Sequence, residues 1–98
     1  MRKMRELHPT DRSQASYNGK AWVVSGEKYD VLFSYGTPVC AVDDDHVFYR
    51  LWDGYSATTM RHVNTFRNES HLGALTKGEW EQLPAVSLAD KERGQDDE

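Results

Sequence analysis

The stretch from Tyr55 to Phe66 holds the chain's densest group of side chains that could do chemistry. If a helix begins at Ser56, its first turn offers free backbone N–H groups beside hydroxyls, with Arg61 one turn further on, and such a helix start can bind an anion. The plainer alternative is that Ser56 caps the helix, the threonines make local hydrogen bonds and Arg61 is solvated. The hydroxyl, cationic and imidazole groups belong to Tyr55, Ser56, Thr58, Thr59, Arg61 and His62.

A small His-dependent nuclease is one enzymatic hypothesis, because His46, Arg61 and His62 could supply a general base and a phosphate-binding cation. These residue types are also ordinary on protein surfaces, and the sequence has no nucleophile elbow. Cys40 lies in an apolar segment, where a thiol is usually buried and inert. We therefore expect no catalytic residues and favour a non-enzymatic role.

Metal binding is the next candidate, because the chain has 4 His and a run of Asp at 43–45. Adjacent Asp residues lack the alternate spacing and the Gly of an EF-hand loop, and they indicate a solvated hairpin tip. His62 and His71 lie in no metal-binding motif. We expect no metal site and no cofactor.

A helix from about Ala57 to Asn68 must position the chemical groups. Asp53-Gly54 predicts a turn, Ser56 is a typical N-cap, and Gly73 is expected to end the segment. Apolar residues recur at intervals of three and predict a face that lies across a sheet, namely Ala57, Met60, Val63 and Phe66. The opposite side is expected to carry Thr58, Arg61, Thr65 and Asn68, with His62 near the boundary.

The rest of the chain predicts an α+β fold. Alternation and turn signals predict four strands at Ala21–Ser25, Tyr29–Tyr35, Val39–Val42 and His46–Trp52. Thr76 is expected to cap a helical turn over Lys77–Gln82, with Trp80 pointing inward. Strands followed by helices favour an antiparallel sheet of about four strands with one main helix packed on a face and a short C-terminal helical turn.

The chain of 98 residues predicts a single domain. We expect a flexible N-terminal arm at 1–16, the α+β domain at 17–84 and an acidic tail at 85–98. The net charge of −4 argues against strong non-specific nucleic-acid binding. A single Cys, no apolar stretch of membrane-spanning length and no signal peptide predict a cytoplasmic protein without membrane contact.

Three kinds of partner are left open. A protein partner is the least demanding, because a small acidic domain can occupy a basic surface. Nucleic acid is the second, because aromatic and cationic residues interleave in Tyr49–Trp52 and Tyr55–Arg61. The third is a second copy of the chain, since an exposed aromatic sheet face would favour a homodimer, with Trp22, Phe48 and Trp52 as the residues involved.

Two motifs resemble a group of small uncharacterised proteins carried by bacteriophages and mobile elements, and by gut and fermentative bacteria. The motifs are Leu32-x-Ser34-Tyr35-x-Thr37-x-Val39 and Tyr55-Ser56-x-Thr58-Thr59-x-Arg61-His62-x-x-x-Phe66. The resemblance covers about residues 17–72 and implies a compact domain in a phage or mobile-element setting, with no assigned activity. By analogy of size and charge, such proteins are often inhibitors of host machinery, including anti-CRISPR proteins.

The leading hypothesis is therefore a non-enzymatic phage or mobile-element accessory protein that binds a host macromolecule. Its expected binding residues lie at the helix start and on the exposed helix face. They are Tyr55, Ser56, Thr58, Thr59, Arg61 and His62.

Overall fold

The computed structural model describes residues 3–9, 17 and 19–88. Within these residues a five-stranded antiparallel sheet runs in chain order, so that each strand pairs with its sequence neighbours. The strands are β1 (Lys3–Glu6), β2 (Ala21–Ser25), β3 (Tyr29–Ser34), β4 (Thr37–Asp43) and β5 (Phe48–Arg50). They are followed by two helices, α1 (Ala57–Glu69) and α2 (Lys77–Gln82). The predicted α+β class is confirmed, with five strands in place of about four.

The additional strand is β1, which lies inside the segment predicted as a flexible arm. Lys3–Glu6 pair with β2, and Leu7 is fully buried. Three of the four β1 side chains are charged, so the segment carries little apolar alternation. Its position is fixed instead by the ladder with β2 and by the Leu7 N–H, which donates to the Ala21 carbonyl at 2.9 Å. The remainder of the predicted arm, residues 1–2 and 10–16, lies outside the described residues.

A β-bulge in β4 explains how consecutive apolar residues reach the core. The register between β3 and β4 shifts between Leu32 and Phe33, because Leu32 pairs with Cys40 while Phe33 pairs with Pro38. The extra residue is Val39, and a bulge places both of its residues on the side of the residue they oppose. Val39 and Cys40 are therefore both buried with Leu32. Pro38 enters the ladder beside this bulge, a position that tolerates proline.

Helix α1 begins where it was predicted to begin and ends differently. The Ser56 side chain accepts from the Thr59 N–H, which confirms Ser56 as the N-cap. Gly73 was expected to end the helix, but His71 does so with a φ of 61°. The His71 N–H donates to the Asn68 carbonyl and the Leu72 N–H donates to the Arg67 carbonyl, which is the Schellman arrangement.

Helix α2 forms over Lys77–Gln82 as predicted. Thr76 and Glu79 make a capping box, in which each side chain accepts from the other's backbone N–H. Trp80 points inward and is fully buried, also as predicted. Beyond α2, the Val86 N–H donates to the Arg50 carbonyl at 2.8 Å. Residues 89–98 of the predicted acidic tail lie outside the described residues.

The core lies between one face of the sheet and the two helices. Helix α1 buries polar as well as apolar residues, among them Thr65, which was predicted on the exposed side. The Thr65 hydroxyl lies 2.7 Å from the Tyr17 hydroxyl, so its burial is offset by a hydrogen bond. The core cluster comprises Leu7, Tyr17, Ala21, Val23, Leu32, Val39, Cys40, Val42, Met60, Val63, Phe66 and Trp80.

Candidate functional site

The six predicted binding residues divide into a structural group and an exposed group. Ser56 belongs to the structural group, because its Oγ accepts from the Thr59 N–H at 3.0 Å and is thereby committed to the cap. A capping hydroxyl of this kind satisfies one of the backbone N–H groups that would otherwise be free at the helix start. The geometry therefore supports the plainer interpretation, in which Ser56 caps the helix.

A buried polar cluster holds α1 onto β3. The Ser34 Oγ lies 2.8 Å from His62 Nδ1 and 3.1 Å from Thr59 Oγ1. His62 is 1% exposed, and its ring centroid lies 4.4 Å from that of Tyr17. Burial lowers the pKa of His62, and the positive charge of Arg61 lowers it further. His62 is thus a neutral hydrogen-bonding group of the core at pH 7, and Thr59 shares its environment.

The exposed group comprises Tyr55, Thr58 and Arg61. Tyr55 directly precedes the cap and is 39% exposed, with the Lys77 Nζ 4.8 Å from its ring centroid. Thr58 and Arg61 lie on the exposed side of α1, as predicted. These three residues, unlike Ser56, Thr59 and His62, present their side chains where a partner could reach them.

Tyr35 is a further exposed residue at this site, although the alternation over Tyr29–Tyr35 predicted it at the end of a strand. It lies instead in the two-residue loop between β3 and β4, where Tyr35 has a φ of 53° and Gly36 a φ of 80°. Positive φ at both positions is the geometry of a type I′ hairpin turn. Tyr35 is 55% exposed, its ring centroid lies 5.8 Å from that of His62, and Lys20 Nζ lies 5.7 Å from the ring centroid.

The Ser34-Tyr35-Gly36-Thr37 sequence could have identified this loop, because a glycine between two alternating segments indicates a tight turn. An L-residue at positive φ is energetically unfavourable. Because the Tyr35 ring is exposed, no free energy of burial offsets this cost. Tyr35 therefore occupies a position that Asn or Gly would fill at lower cost. Such an observed departure is a reason to consider a role in binding.

Cations surround the start of α1. The first turn of the helix contains no acidic residue. Arg61 belongs to the first two turns of α1 itself. The other two cations, Lys20 and Lys77, lie beside these turns, because each contacts the ring of an exposed tyrosine of this site. The positive end of the helix dipole adds to these charges. Three cationic side chains thus lie near the first two turns of α1 on a chain whose net charge is −4.

The residues proposed for catalysis are not brought together. The hairpin that contains His46 begins at Asp43, which pairs with Tyr29 at the start of β3. His62 contacts Ser34 at the other end of β3. Five residue steps of a strand separate these ends by roughly 17 Å. Cys40 is fully buried, and this burial raises the pKa of its thiol well above the ordinary range.

The acidic hairpin tip has an internal structural role. The carboxylate of Asp43 accepts from the backbone N–H groups of Asp45 and Val47 and from the Tyr49 hydroxyl, each at 2.9 Å. These bonds lower the pKa of Asp43, the bond from Val47 most of all. Oxygen atoms of Asp43, Asp44 and Asp45 lie within 4.8 Å of one another. The carboxylate with the most contacts is thus committed to closing the hairpin.

In the described part of the chain, neither helix has the length and apolar character needed to cross a membrane. Comparison with family models matches residues 5–82 to a family of unknown function (DUF8033). The match covers more than half of the 98 residues, so the chain belongs to this family. Comparison with the curated proteins and with the solved structures found no match.

Proposed function

We propose that this member of the DUF8033 family acts by binding a protein partner through the surface around the start of α1. This surface, called here the α1-start surface, keeps the three exposed residues of the predicted binding site and adds Tyr35 and two lysines. It consists of Lys20, Tyr35, Tyr55, Thr58, Arg61 and Lys77.

The observation that carries the proposal is a pair of exposed tyrosines, each with a lysine over its ring. Tyr35 is 55% exposed and Tyr55 is 39% exposed. Tyrosine and arginine are enriched among the residues that dominate binding energy, because they offer a large rigid surface together with polar groups. The neighbouring lysines favour a partner surface that supplies carboxylates.

The described residues fit a binding function better than a catalytic function. The two side chains with the most obvious catalytic chemistry, His62 and Cys40, are 1% and 0% exposed. His62 is in addition hydrogen-bonded to Ser34, so its removal would perturb the packing of α1 before it perturbed any reaction. The exposed groups of the α1-start surface are those of an interface.

Nucleic acid is the second candidate partner, favoured by a different observation. Lys20 Nζ lies 5.7 Å from the ring centroid of the exposed Tyr35, Arg61 is exposed on α1, and no acidic side chain occupies the first turn of that helix. Cations beside an aromatic ring can contact phosphates and stack a base. Binding of this kind weakens steeply as salt concentration rises, because it releases condensed counterions.

The phage or mobile-element setting and a role as an inhibitor of host machinery are part of the same proposal. They rest on the motif resemblance, on the small size and on the net charge of −4. A cytoplasmic location follows from that setting. The inhibitor hypothesis, which includes an anti-CRISPR activity, specifies that the protein partner belongs to the host.

The test is an affinity pull-down with tagged protein from a lysate of the cells that carry it, with and without nuclease and at two salt concentrations. We expect a stoichiometric protein that survives nuclease and moderate salt. Recovery of nucleic acid that is lost at high salt would replace the first candidate with the second. Recovery of neither would refute binding as the function.

Matched variants test whether the partner binds at the α1-start surface. Tyr35→Asn removes the ring while suiting the positive φ, and Arg61→Ala removes the cation on α1; each should lower recovery of the partner at least tenfold. Lys28→Ala is the control, because Lys28 also lies 5.7 Å from a tyrosine ring centroid, that of Tyr29, at the opposite end of β3. Equal recovery with all three variants, each folded by circular dichroism, would show that the partner binds elsewhere.

A further inference from the structure

The buried imidazole of His62 lies beside the exposed ring of Tyr35. The centroids of these two rings are 5.8 Å apart, and the ring centroid of Tyr17 lies 4.4 Å from that of His62. Both distances are typical of aromatic pairs. Tyr17 is buried, whereas Tyr35 is 55% exposed. Of the two neighbours, Tyr35 is therefore the one on the solvent side of the imidazole, and its ring helps to keep His62 only 1% exposed.

A hydrogen bond joins the same imidazole to the residue before Tyr35. His62 Nδ1 lies 2.8 Å from the Ser34 Oγ, which in turn lies 3.1 Å from the Thr59 Oγ1. The Thr59 N–H donates to the Ser56 cap at 3.0 Å. His62 thus contacts the hairpin turn both through the Tyr35 ring and through Ser34, and the same polar cluster extends to the first turn of α1. Both parts of the α1-start surface rest on this cluster.

The backbone of Tyr35 is held in place, whereas its ring extends into solvent. The Tyr35 N–H donates to the Lys20 carbonyl at 2.7 Å, and Ser34 pairs with Thr37 across the turn. Exposed side chains change rotamer rapidly while the backbone that carries them stays in place. Rotation about χ1 of Tyr35 would therefore take the ring away from His62 without opening the hairpin.

The surroundings of His62 make its charged form unfavourable. Among the described residues, the titratable and charged groups near it are the phenols of Tyr17 and Tyr35, the Lys20 ammonium beside Tyr35 and the Arg61 guanidinium. Burial lowers the pKa of His62, and the positive charge of Arg61 lowers it further. Because burial is the larger of these causes, a proton binds more readily in any conformation that lets water reach the imidazole.

We propose that the Tyr35 ring is a movable cover for His62 and that proton binding at His62 displaces it, which makes the α1-start surface sensitive to pH. When His62 is neutral, the ring lies against the imidazole. When His62 is protonated, the ring rotates into solvent and water hydrates the imidazolium. An imidazolium is also attracted to an aromatic ring. The Lys20 ammonium already lies 5.7 Å from the same ring centroid, however, and repulsion between the like charges weakens this attraction.

The proposal rests on the proposed function in one respect, because the surface that it regulates is the α1-start surface. The sign follows from linkage, since a partner that binds the docked Tyr35 ring also favours the neutral form of His62. The docked state is fully favoured above the ordinary His pKa of 6.5 and is lost as pH falls through the lowered pKa of His62. Affinity for such a partner therefore falls as the solution becomes more acidic.

The test is NMR of the full chain alone, titrated from about pH 7.5 to about pH 4. At the upper end we expect nuclear Overhauser effects (NOEs) from the His62 ring to both Tyr35 and Tyr17. As His62 is protonated, the NOE to Tyr35 should be lost while the NOE to Tyr17 is kept. An NOE to Tyr35 that persists in the protonated form would overturn the proposal. Joint loss of both NOEs would overturn it as well, because protonation would then be coupled to unfolding rather than to the Tyr35 ring.

Three variants test the cover through the pKa of His62. Tyr35→Asn removes the ring, keeps a residue type that tolerates positive φ, and should raise the pKa of His62 toward its ordinary value. Tyr35→Phe keeps the ring and should keep the pKa of the wild-type chain. Tyr55→Asn is the control, because the ring of Tyr55 contacts Lys77, and it should also leave the pKa of His62 unchanged. An unchanged pKa in Tyr35→Asn, or equal rises in Tyr35→Asn and Tyr55→Asn, would overturn the proposal.

These measurements use no partner, so the failure of this proposal and the failure of the proposed function are distinguishable. A pull-down that recovers neither protein nor nucleic acid would refute the binding function and leave the coupling of Tyr35 to His62 in place. NOEs or pKa values that contradict the expectation would refute the coupling and leave the α1-start surface as the candidate interface.

Discussion

Replacement of Arg50 by Lys should destabilise the protein strongly although it keeps the charge. Arg50 is 7% exposed and lies on the helix-facing side of β5, opposite Cys40. Its guanidinium carbon lies 4.6 Å from the ring centroid of Trp80. Its N–H groups donate to four backbone carbonyls, those of Trp52 at 2.7 Å, Trp80 at 2.9 Å, Leu83 at 2.9 Å and Gly54 at 3.3 Å.

These carbonyls belong to the loop after β5 and to the end of α2, so the planar guanidinium joins three segments. A lysine ammonium places its three donors on one atom and can reach one or two of the four acceptors. Hydrogen bonds to charged groups contribute about 1.5–3 kcal/mol each. Loss of two such bonds, partly replaced by water, should lower the free energy of unfolding by about 3 kcal/mol.

That loss is large beside the roughly 5–15 kcal/mol by which domains are stable. At about 4–8 °C per kcal/mol, it lowers the Tm by about 12–24 °C. The assay is thermal and urea unfolding followed by circular dichroism, with Arg61→Lys as the control because Arg61 is an exposed arginine of α1. The control should change the free energy by no more than about 0.5 kcal/mol. If Arg50→Lys lowered the free energy of unfolding by less than about 1 kcal/mol, the hydrogen bonds of the guanidinium would be refuted as a source of stability.

Three further predictions concern single side chains. Because the folded pKa of His62 is lowered, stability should fall as pH drops below the ordinary value of 6.5, and His62→Gln should flatten the stability difference between pH 7 and pH 5 in urea titrations. His71→Gly should raise the free energy of unfolding by about 0.5–1 kcal/mol, because glycine suits the φ of 61°; an unchanged or lower urea midpoint would contradict this. Cys40, fully buried with a raised pKa, should react with a thiol reagent only as fast as the protein opens, and fast labelling of the folded protein would count against its burial.

Local chemistry in the sequence determined the helices and most of the sheet. Ser56 and the box of Thr76 with Glu79 fix the two helix starts within four residues of chain, so their signals can be read without knowledge of the fold. Alternation in β2 and β3 works in the same way, since the side-chain period of a strand is a local property. Helix ends are less certain, and the end of α1 depends on His71 adopting a conformation that its residue type does not favour.

Only the tertiary structure decided which polar residues are exposed. Thr59 and His62 were predicted at the binding surface, and they are buried because Ser34, 25 and 28 positions away, supplies their hydrogen bonds. Thr65 is buried for the same kind of reason, since Tyr17 lies 48 positions away. A helix pattern shows which side chains share a face, but it contains no information about hydrogen-bond partners from distant strands.

The same limit explains β1 and Arg50. Strand β1 forms because its backbone pairs with that of β2. Arg50 is buried because carbonyls 30 and 33 positions further along the chain accept its hydrogen bonds. Local propensity is encoded within a few residues, whereas burial depends on what the folded chain brings from far away.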